Sequence, residues 1–419
     1  MAKYLEQRRR GWYAVLDVPA KLKNHFGKKR LVKTLETDSR SEAERKVLPV
    51  IARWKAEFEA AKSGTSIPLE QLALEWANDL KNARDPDIRD IGYDLIEEKA
   101  NKLAKLNPTS AATFRLIALG EAVPLNDHVD PWLLRVDNVG KTIDMKRSDV
   151  QHFLQTFKVE QQVTKRAVQK WADALIKDAG LSPPTARRHI SSCRGFWSYL
   201  QRAGIIDRDD DPFHDAVSRA SQKNKAKPDS KRRPFRPDEL GQLYREASRA
   251  NDPQLQKLIW MAIWTGCRIE ELCSLKVSDV SEDFFQVMDA KTGAGNRLVP
   301  THSRLRPLLE QLCRSSTDGF VLSGLTFNKY GDRSNAIGKR FGRLKSKLGM
   351  GPTLVFHSIR KTVATQLENA GVPESVSADI LGHEKKTMTY GLYSGGTDLK
   401  IMKAAVEKLS YPDLICPLE

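Results

Sequence analysis

The sequence predicts a mainly α-helical, multidomain chain with small β-sheets: an N-terminal β/α module, an all-helical middle and an α+β C-terminal domain. Three observations carry this expectation. Apolar residues recur at helical spacing over 39–62, 69–80, 93–106, 147–204, 253–264 and 398–409. Strand-like runs are confined to residues 11–37 and 284–300. A Lys-, Arg- and Pro-rich stretch of low hydrophobicity at 219–236 separates two helical blocks. The 419 residues suffice for two to four domains with real cores. The expected divisions are 1–64, 65–135, 136–218, a linker at 219–236, and 237–419.

Taken in order, GWYAVLDVP at 11–19 and KRLVKTLET at 29–37 read as strands, and 39–62 as a helix opened by a Ser cap. Pro49 within that helix either kinks or splits it. Residues 65–130 are helical in pattern and acidic, with twelve acids against seven bases. They are expected to pack between modules or against a partner subunit. The helices of 147–204 each end at a Gly or a polar break; in the last, Ile190, Phe196, Trp197 and Leu200 face inward. The run at 253–264 stops at Gly266, so Arg268 starts the next helix, with Glu271 placed to brace it. FFQVMD at 284–289 and NRLVP at 296–300 flank a Gly-rich hairpin turn holding Lys291. A last helix at 398–409 precedes an apolar tail, YPDLICPLE, which docks either on a neighbour or on its own domain.

The formal charge of +16 and a pI near 9.5 imply a polyanionic partner. Nearly the whole excess lies in two segments: residues 1–62 hold sixteen Lys/Arg against eight acids, and 219–236 hold eight against one. Candidate DNA-contacting residues are Arg8, Arg9 and Arg10 beside Trp12 and Tyr13, then Arg187, Arg188 and Arg194, and in the linker Lys231, Arg232 and Arg233. Taken singly, such residues are more often a solvated basic face. The five cysteines form no C-x-x-C pair, which fits free thiols in a reducing cytoplasm rather than a disulfide or zinc framework. No signal peptide is visible, and LIWMAIW at 258–264, the longest apolar run, is too short to cross a bilayer. A cytoplasmic protein with no membrane partner is expected.

The sharpest signal is a set of four motifs: TGCRIEEL at 265–272, DAKTGAG at 289–295, FHSIRKT at 356–362 and LGHEKKTMTYGLY at 381–393. Together they offer two arginines, a lysine, two histidines and a late tyrosine. That set suits attack by a phenol on a phosphodiester without a metal. Two guanidinium forks hold the negative non-bridging oxygens, and a phenolate leaves well enough for the step to reverse. A histidine of near-neutral pKa handles the nucleophile's proton, and a lysine in a cationic pocket can protonate the departing hydroxyl. His357 and Arg360, spaced i, i+3, present both side chains on one helical face over a stripe of Ile359, Val363 and Leu367. Alone, each of these residues has an ordinary structural account; their joint order and spacing carry the functional reading.

Over residues 235–410 the motifs resemble the active site of the tyrosine recombinases, the phage-integrase family. The resemblance implies that Arg268 is the first catalytic arginine, Lys291 the hairpin lysine and general acid, and His357 with Arg360 the H-x-x-R pair. It also implies that His383 donates to the phosphate. The family's usual position for the nucleophile falls on Leu392; Tyr393 lies one residue later and Tyr390 two earlier, and Tyr393 is the expected nucleophile. The resemblance further implies a 3′-phosphotyrosyl intermediate, no cofactor or metal, double-stranded DNA as partner and a homotetramer in the synapse. DNA-bending accessory proteins are further candidate partners. Residues 1–64 look like an arm-site DNA-binding module and 136–218 like a helical, SAM-like core-binding domain, closing with the catalytic domain as a clamp on DNA. The setting implied is prokaryotic and nucleoid-associated, in integration or excision of a phage or genomic island. The competing readings are a type IB topoisomerase-like enzyme and a non-catalytic DNA-binding regulator of the same fold.

Overall fold

The computed structural model describes residues 2–9, 11–63, 68–217, 232–288, 296–383, 396–411 and 414–417. It divides into two units, Met1–Lys223 and Asn224–Glu419.

The first unit opens with a three-stranded antiparallel sheet in the order β1 (Leu5–Arg8), β2 (Gly11–Asp17), β3 (Arg30–Thr34). The first strand, LEQR, has no apolar alternation and goes unread in the sequence; its pairing with β2 makes it a strand. A short helix α1 (Lys23–Phe26) closes on Gly27, and α2 (Arg40–Ser63) follows β3. Helix α2 runs through Pro49 as one element, neither split nor ended by it. Then come α3 (Leu69–Asn82), α4 (Pro86–Ala104) and α5 (Pro108–Ala118). Asp85 and Asn107 cap the last two, each followed by Pro in the first turn, so α4 begins well ahead of the expected 93. The buried faces of α3–α5 (Trp76, Ile91, Leu95, Ile96, Phe114, Ile117) join Ala14, Leu35, Val47 and Val50 in one core. The acidic segment is therefore the other half of the N-terminal module's core, and its acids meet the module's bases: Arg45 bonds Asp87 at 2.6 Å, and Arg53 bonds Asp79 at 2.9 Å.

A second core in the same unit joins α6 (Val129–Leu134), α7 (Gly140–Thr156), α8 (Lys165–Lys177) and α9 (Pro183–Arg202). Ile190, Phe196, Trp197 and Leu200 are buried in it, as their spacing predicts.

The second unit packs α10 (Pro237–Arg249), α11 (Pro253–Thr265), the short α12 (Ile269–Cys273) and the antiparallel pair β4 (Phe284–Val287) and β5 (Arg297–Pro300). It continues with α13 (Arg306–Ser315), α14 (Ser334–Lys347), α15 (His357–Asn369), α16 (Glu374–Leu381) and α17 (Leu399–Val406). Helix α11 is buried on every side from Leu258 to Thr265 and is the axis of this core. The packed unit also reaches back into the stretch read as linker: Phe235 is 3% exposed, and its N–H donates to Thr362 Oγ1 at 2.8 Å. A single apolar residue among Lys, Arg and Pro gave no periodicity to reveal this. At the other end Tyr411 and Leu414 are buried in the same core, and Tyr244 Oη donates to the Ile415 carbonyl at 2.6 Å. Of the two fates open to the tail, these residues take the one within their own unit. Among the described residues no helix is long and apolar enough to cross a membrane.

Phe235→Ala should cost the second unit about 3–5 kcal/mol, the usual loss for an emptied aromatic site. Calorimetry should show the transition of that unit falling while that of the first unit stays in place.

Candidate active site

The site is built on two helix ends closed by glycines in the left-handed conformation. Helix α11 stops at Gly266, with φ of 63°. A Cβ there would stand 2.6 Å from Leu381 Cδ2 and 3.0 Å from Val363 Cγ1, so only glycine lets α11, α15 and α16 approach so closely. Helix α16 stops at Gly382, with φ of 67°. A Cβ at that position would meet the Arg297 guanidinium at 2.9 Å.

Past Gly266, Arg268 takes the N-cap position of α12. Its N–H donates to Glu271 Oε2 at 2.8 Å and its Nη1 to Glu271 Oε1 at 2.6 Å, the brace that the spacing predicts. Helix α15 carries His357 in its first turn and Arg360 one turn on, over buried Ile359, Val363 and Leu367. Arg360 is 3% exposed; its Nη1 donates to the Gly266 carbonyl at 3.1 Å, and its Nη2 to the Leu381 carbonyl. Its Nε is buried without a partner among the described residues.

Three successive carbonyls at the end of α16 each receive a different arginine. Ile380 O accepts from Arg297 Nε at 2.8 Å, Leu381 O from Arg360 Nη2, and Gly382 O from Arg268 Nη2 at 3.3 Å. These are carbonyls that a helix end leaves without intrahelical partners, at the negative pole of its dipole. His383 follows directly, its N–H donating to the Ala378 carbonyl at 2.9 Å.

Arg297 is the site residue that sequence reasoning missed. It opens β5 with its side chain 6% exposed and bridges Glu271 Oε2 at 3.0 Å. No motif marks it; the one available signal was a charge at the start of a short apolar strand.

The Arg268 and Arg297 guanidinium groups thus share the carboxylate of Glu271, and Arg360, His357 and His383 lie within reach of their charge. Burial works against the charged carboxylate, but hydrogen bonds and charge from Arg297 and Arg268 hold it below the usual range. Arg360 is pushed down to about 10, first by burial and then by Arg268 and Arg297. Burial, reinforced by Arg360 and Arg268, also lowers His357 and His383. Arg232 adds its charge at His357, and Arg297 at His383. Both imidazoles are therefore neutral at pH 7. Burial pushes the neighbouring Cys267 thiol up, consistent with a packed rather than a reactive cysteine.

The structure brings together Arg268, His357, Arg360 and His383. Lys291, Tyr390 and Tyr393 lie outside the described residues, as do Arg10 and Lys231. Of the other DNA-contact candidates, Arg8 pairs with Glu6, Arg188 with buried Asp149, Arg194 with Asp211, and Arg233 with Glu239 through both nitrogens. Arg9 and Arg232 are exposed and Arg187 is half-buried. One basic surface went unread: α14 turns Lys339 and Arg343 outward, with Lys347 paired to Glu246 at 2.8 Å, opposite buried Ile337, Phe341 and Leu344.

A helical unit with one small hairpin, in which TGxR, H-x-x-R and LGH motifs meet at a single helix end, has the architecture of an integrase catalytic domain. Residues 233–398 match the Phage integrase family, and the relatives and structural neighbours of the chain support a place among the tyrosine recombinases. It is 27% identical over 276 residues to a tyrosine recombinase of Thermosipho africanus, covering 59% of this chain and 86% of that protein. It is also 27% identical over 253 residues to tyrosine recombinase XerC of Listeria welshimeri, covering 58% and 81%. In fold it is similar to a lambda integrase dimer bound to a COC′ core site, with TM-score 0.51, 16% identity and coverage of 94% and 97%. A lambda integrase tetramer bound to a Holliday junction aligns with TM-score 0.52, 17% identity and coverage of 80% and 90%. Residues 4–63 match a domain of unknown function, DUF6538.

The depressed histidines have a measurable consequence. Because the unfolded chain takes up these protons at higher pH than the folded one, their contribution is fully present above the ordinary value of 6.5 and lost as pH falls through the folded values. Denaturant unfolding across mildly acidic pH should show stability falling with pH. A His357→Gln, His383→Gln double variant should flatten part of that slope; His128, His189 and His302, which burial also lowers, and carboxylates held below their usual range, such as Glu239 and Glu271, contribute to the rest.

Proposed function

We propose that the chain is a site-specific recombinase that cuts and rejoins double-stranded DNA through a 3′-phosphotyrosyl intermediate. The observation that carries this reading is the convergence of Arg268, Arg360, His357 and His383 on the end of α16, with Glu271 as the carboxylate shared by Arg268 and Arg297. Such a pocket has an excess of positive charge that a phosphodiester in transit to a phosphorane would balance.

In this reading Arg268, whose side chain is 40% exposed, and Arg360 hold the non-bridging oxygens, and His383 donates to one of them. His357, neutral at pH 7, accepts the phenol proton of Tyr393. The tyrosyl oxygen bonds to phosphorus as the bond to the 5′ oxygen breaks, and Lys291 protonates that leaving oxygen. A 5′-hydroxyl from the partner duplex then reverses the step, so each broken phosphodiester is replaced and no ATP is consumed. The roles of Lys291 and Tyr393 rest on the family resemblance. So do a tetrameric synapse, the arm-type role of 1–64, the core-binding role of 136–218 and any DNA-bending accessory protein. The outward bases of α14 and exposed Arg232 suit backbone phosphates, which fix register without reading sequence. Integration or excision of a phage or genomic island, in a prokaryotic cytoplasm, is the setting that fits this chemistry.

Covalent trapping on nicked suicide duplexes drawn from DNA flanking the native gene tests the reaction. Wild type and Tyr390→Phe should form a protein–DNA adduct, and Tyr393→Phe should not. Wild type without an adduct on DNA that it binds would instead favour the non-catalytic regulator. Binding should weaken steeply with salt, log K falling by about 0.9 per phosphate neutralised. A flat response would remove the basic segments from the interface.

A further inference from the structure

We propose that Arg297 is a positioning residue of this site, a buried fork that ties β5 to Glu271 and to the end of α16 and so sets where Arg268, Arg360 and His383 stand. The inference rests on the strand-cleavage reading.

Arg297 Nε donates to the Ile380 carbonyl at 2.8 Å, and Nη2 to Glu271 Oε2 at 3.0 Å. Nη2 also lies 3.4 Å from Cys267 Sγ, beside Arg268 in the chain. The Arg297 side chain is 6% exposed and already holds a carbonyl and a carboxylate, whereas that of Arg268 is 40% exposed. What Arg297 does touch is the support of Arg268 and the residue next to the support of Arg360. Glu271 holds the Arg268 guanidinium and the Arg268 N–H. Ile380 precedes Leu381, which receives Arg360, and Gly382, which receives Arg268. Gly382 itself packs closely on Arg297: a Cβ there would stand 2.9 Å from Nη1 and 3.0 Å from Cδ. Since β5 begins at Arg297, the same side chain also fixes the start of the strand that follows Lys291 in the chain.

A lysine there would keep the charge but, as a single point donor, could not hold Glu271 and Ile380 together. Glutamine would remove the charge. His383 faces Arg360 and His357 of α15, Arg268 at the start of α12, and Arg297 of β5. Loss of the Arg297 charge should therefore raise the His383 titration toward its ordinary value, whereas lysine should leave it in place.

The test pairs two readouts on the full-length chain. In single-turnover cleavage of a nicked suicide duplex, Arg297→Lys should lose about 100-fold in rate, the scale of a reacting group displaced by an ångström, with DNA affinity unchanged. Glu271→Gln should show a similar loss, and the double variant little more, because both residues serve one bridge. In NMR titration of the imidazoles, Arg297→Gln should shift His383 upward and Arg297→Lys should not. Wild-type cleavage by Arg297→Lys, or loss of DNA binding matching its loss of rate, overturns the proposal. So does a His383 titration indifferent to Arg297→Gln. If wild type forms no adduct, the strand-cleavage reading fails, and the titration still decides whether Arg297 anchors the site.

Discussion

The second unit depends on what becomes of the carbonyls at the end of α16. A helix that ends in the interior must satisfy them, and here three arginines from three other elements do so: Arg297 of β5, Arg360 of α15 and Arg268 at the start of α12. Hydrogen bonds to charged donors contribute about 1.5–3 kcal/mol each, so this junction ranks with the strongest polar contacts in the unit. It also dictates backbone: the left-handed turns at Gly266 and Gly382 bring the helix ends close enough for the side chains to reach.

Satisfying an arginine with a carbonyl differs from pairing it with a carboxylate. The donor is bonded, yet no charge is cancelled. Glu271 is the carboxylate shared by two of the guanidinium groups, and the positive charge left in the pocket adds to burial in depressing Arg360 and both histidines. Folding thus fixes the arginines without neutralising them. The remaining imbalance is what an incoming phosphate would relieve, and that charge-based attraction carries no information about base sequence.

Much of this was legible in the chain. Helix α11 with its glycine stop, the Arg268–Glu271 brace and the His357–Arg360 face follow from spacing and local chemistry alone. What escaped was what long-range packing decides. Strand β1 has no alternation of its own and exists through its partner. Phe235 is a lone apolar residue in a basic stretch, yet it belongs to the core. Arg297 is unmarked because its importance lies in contacts to Ile380 and Glu271, remote in sequence and adjacent only once the chain has folded. The same holds for several basic candidates: Arg188, Arg194 and Arg233 looked free for a polyanion, and each has an acid beside it.

The shared core of the first unit bears on how such proteins are assembled over evolutionary time. The N-terminal segment that matches a recurring domain, residues 4–63, ends where α2 ends. Its apolar face, with Ala14, Leu35, Val47 and Val50, is completed by Trp76, Ile91, Leu95 and Phe114 from α3–α5. A segment of this kind is not freely portable. Wherever recombination between genes transplants it, it must travel with its helical cover or land beside a surface able to take that cover's place.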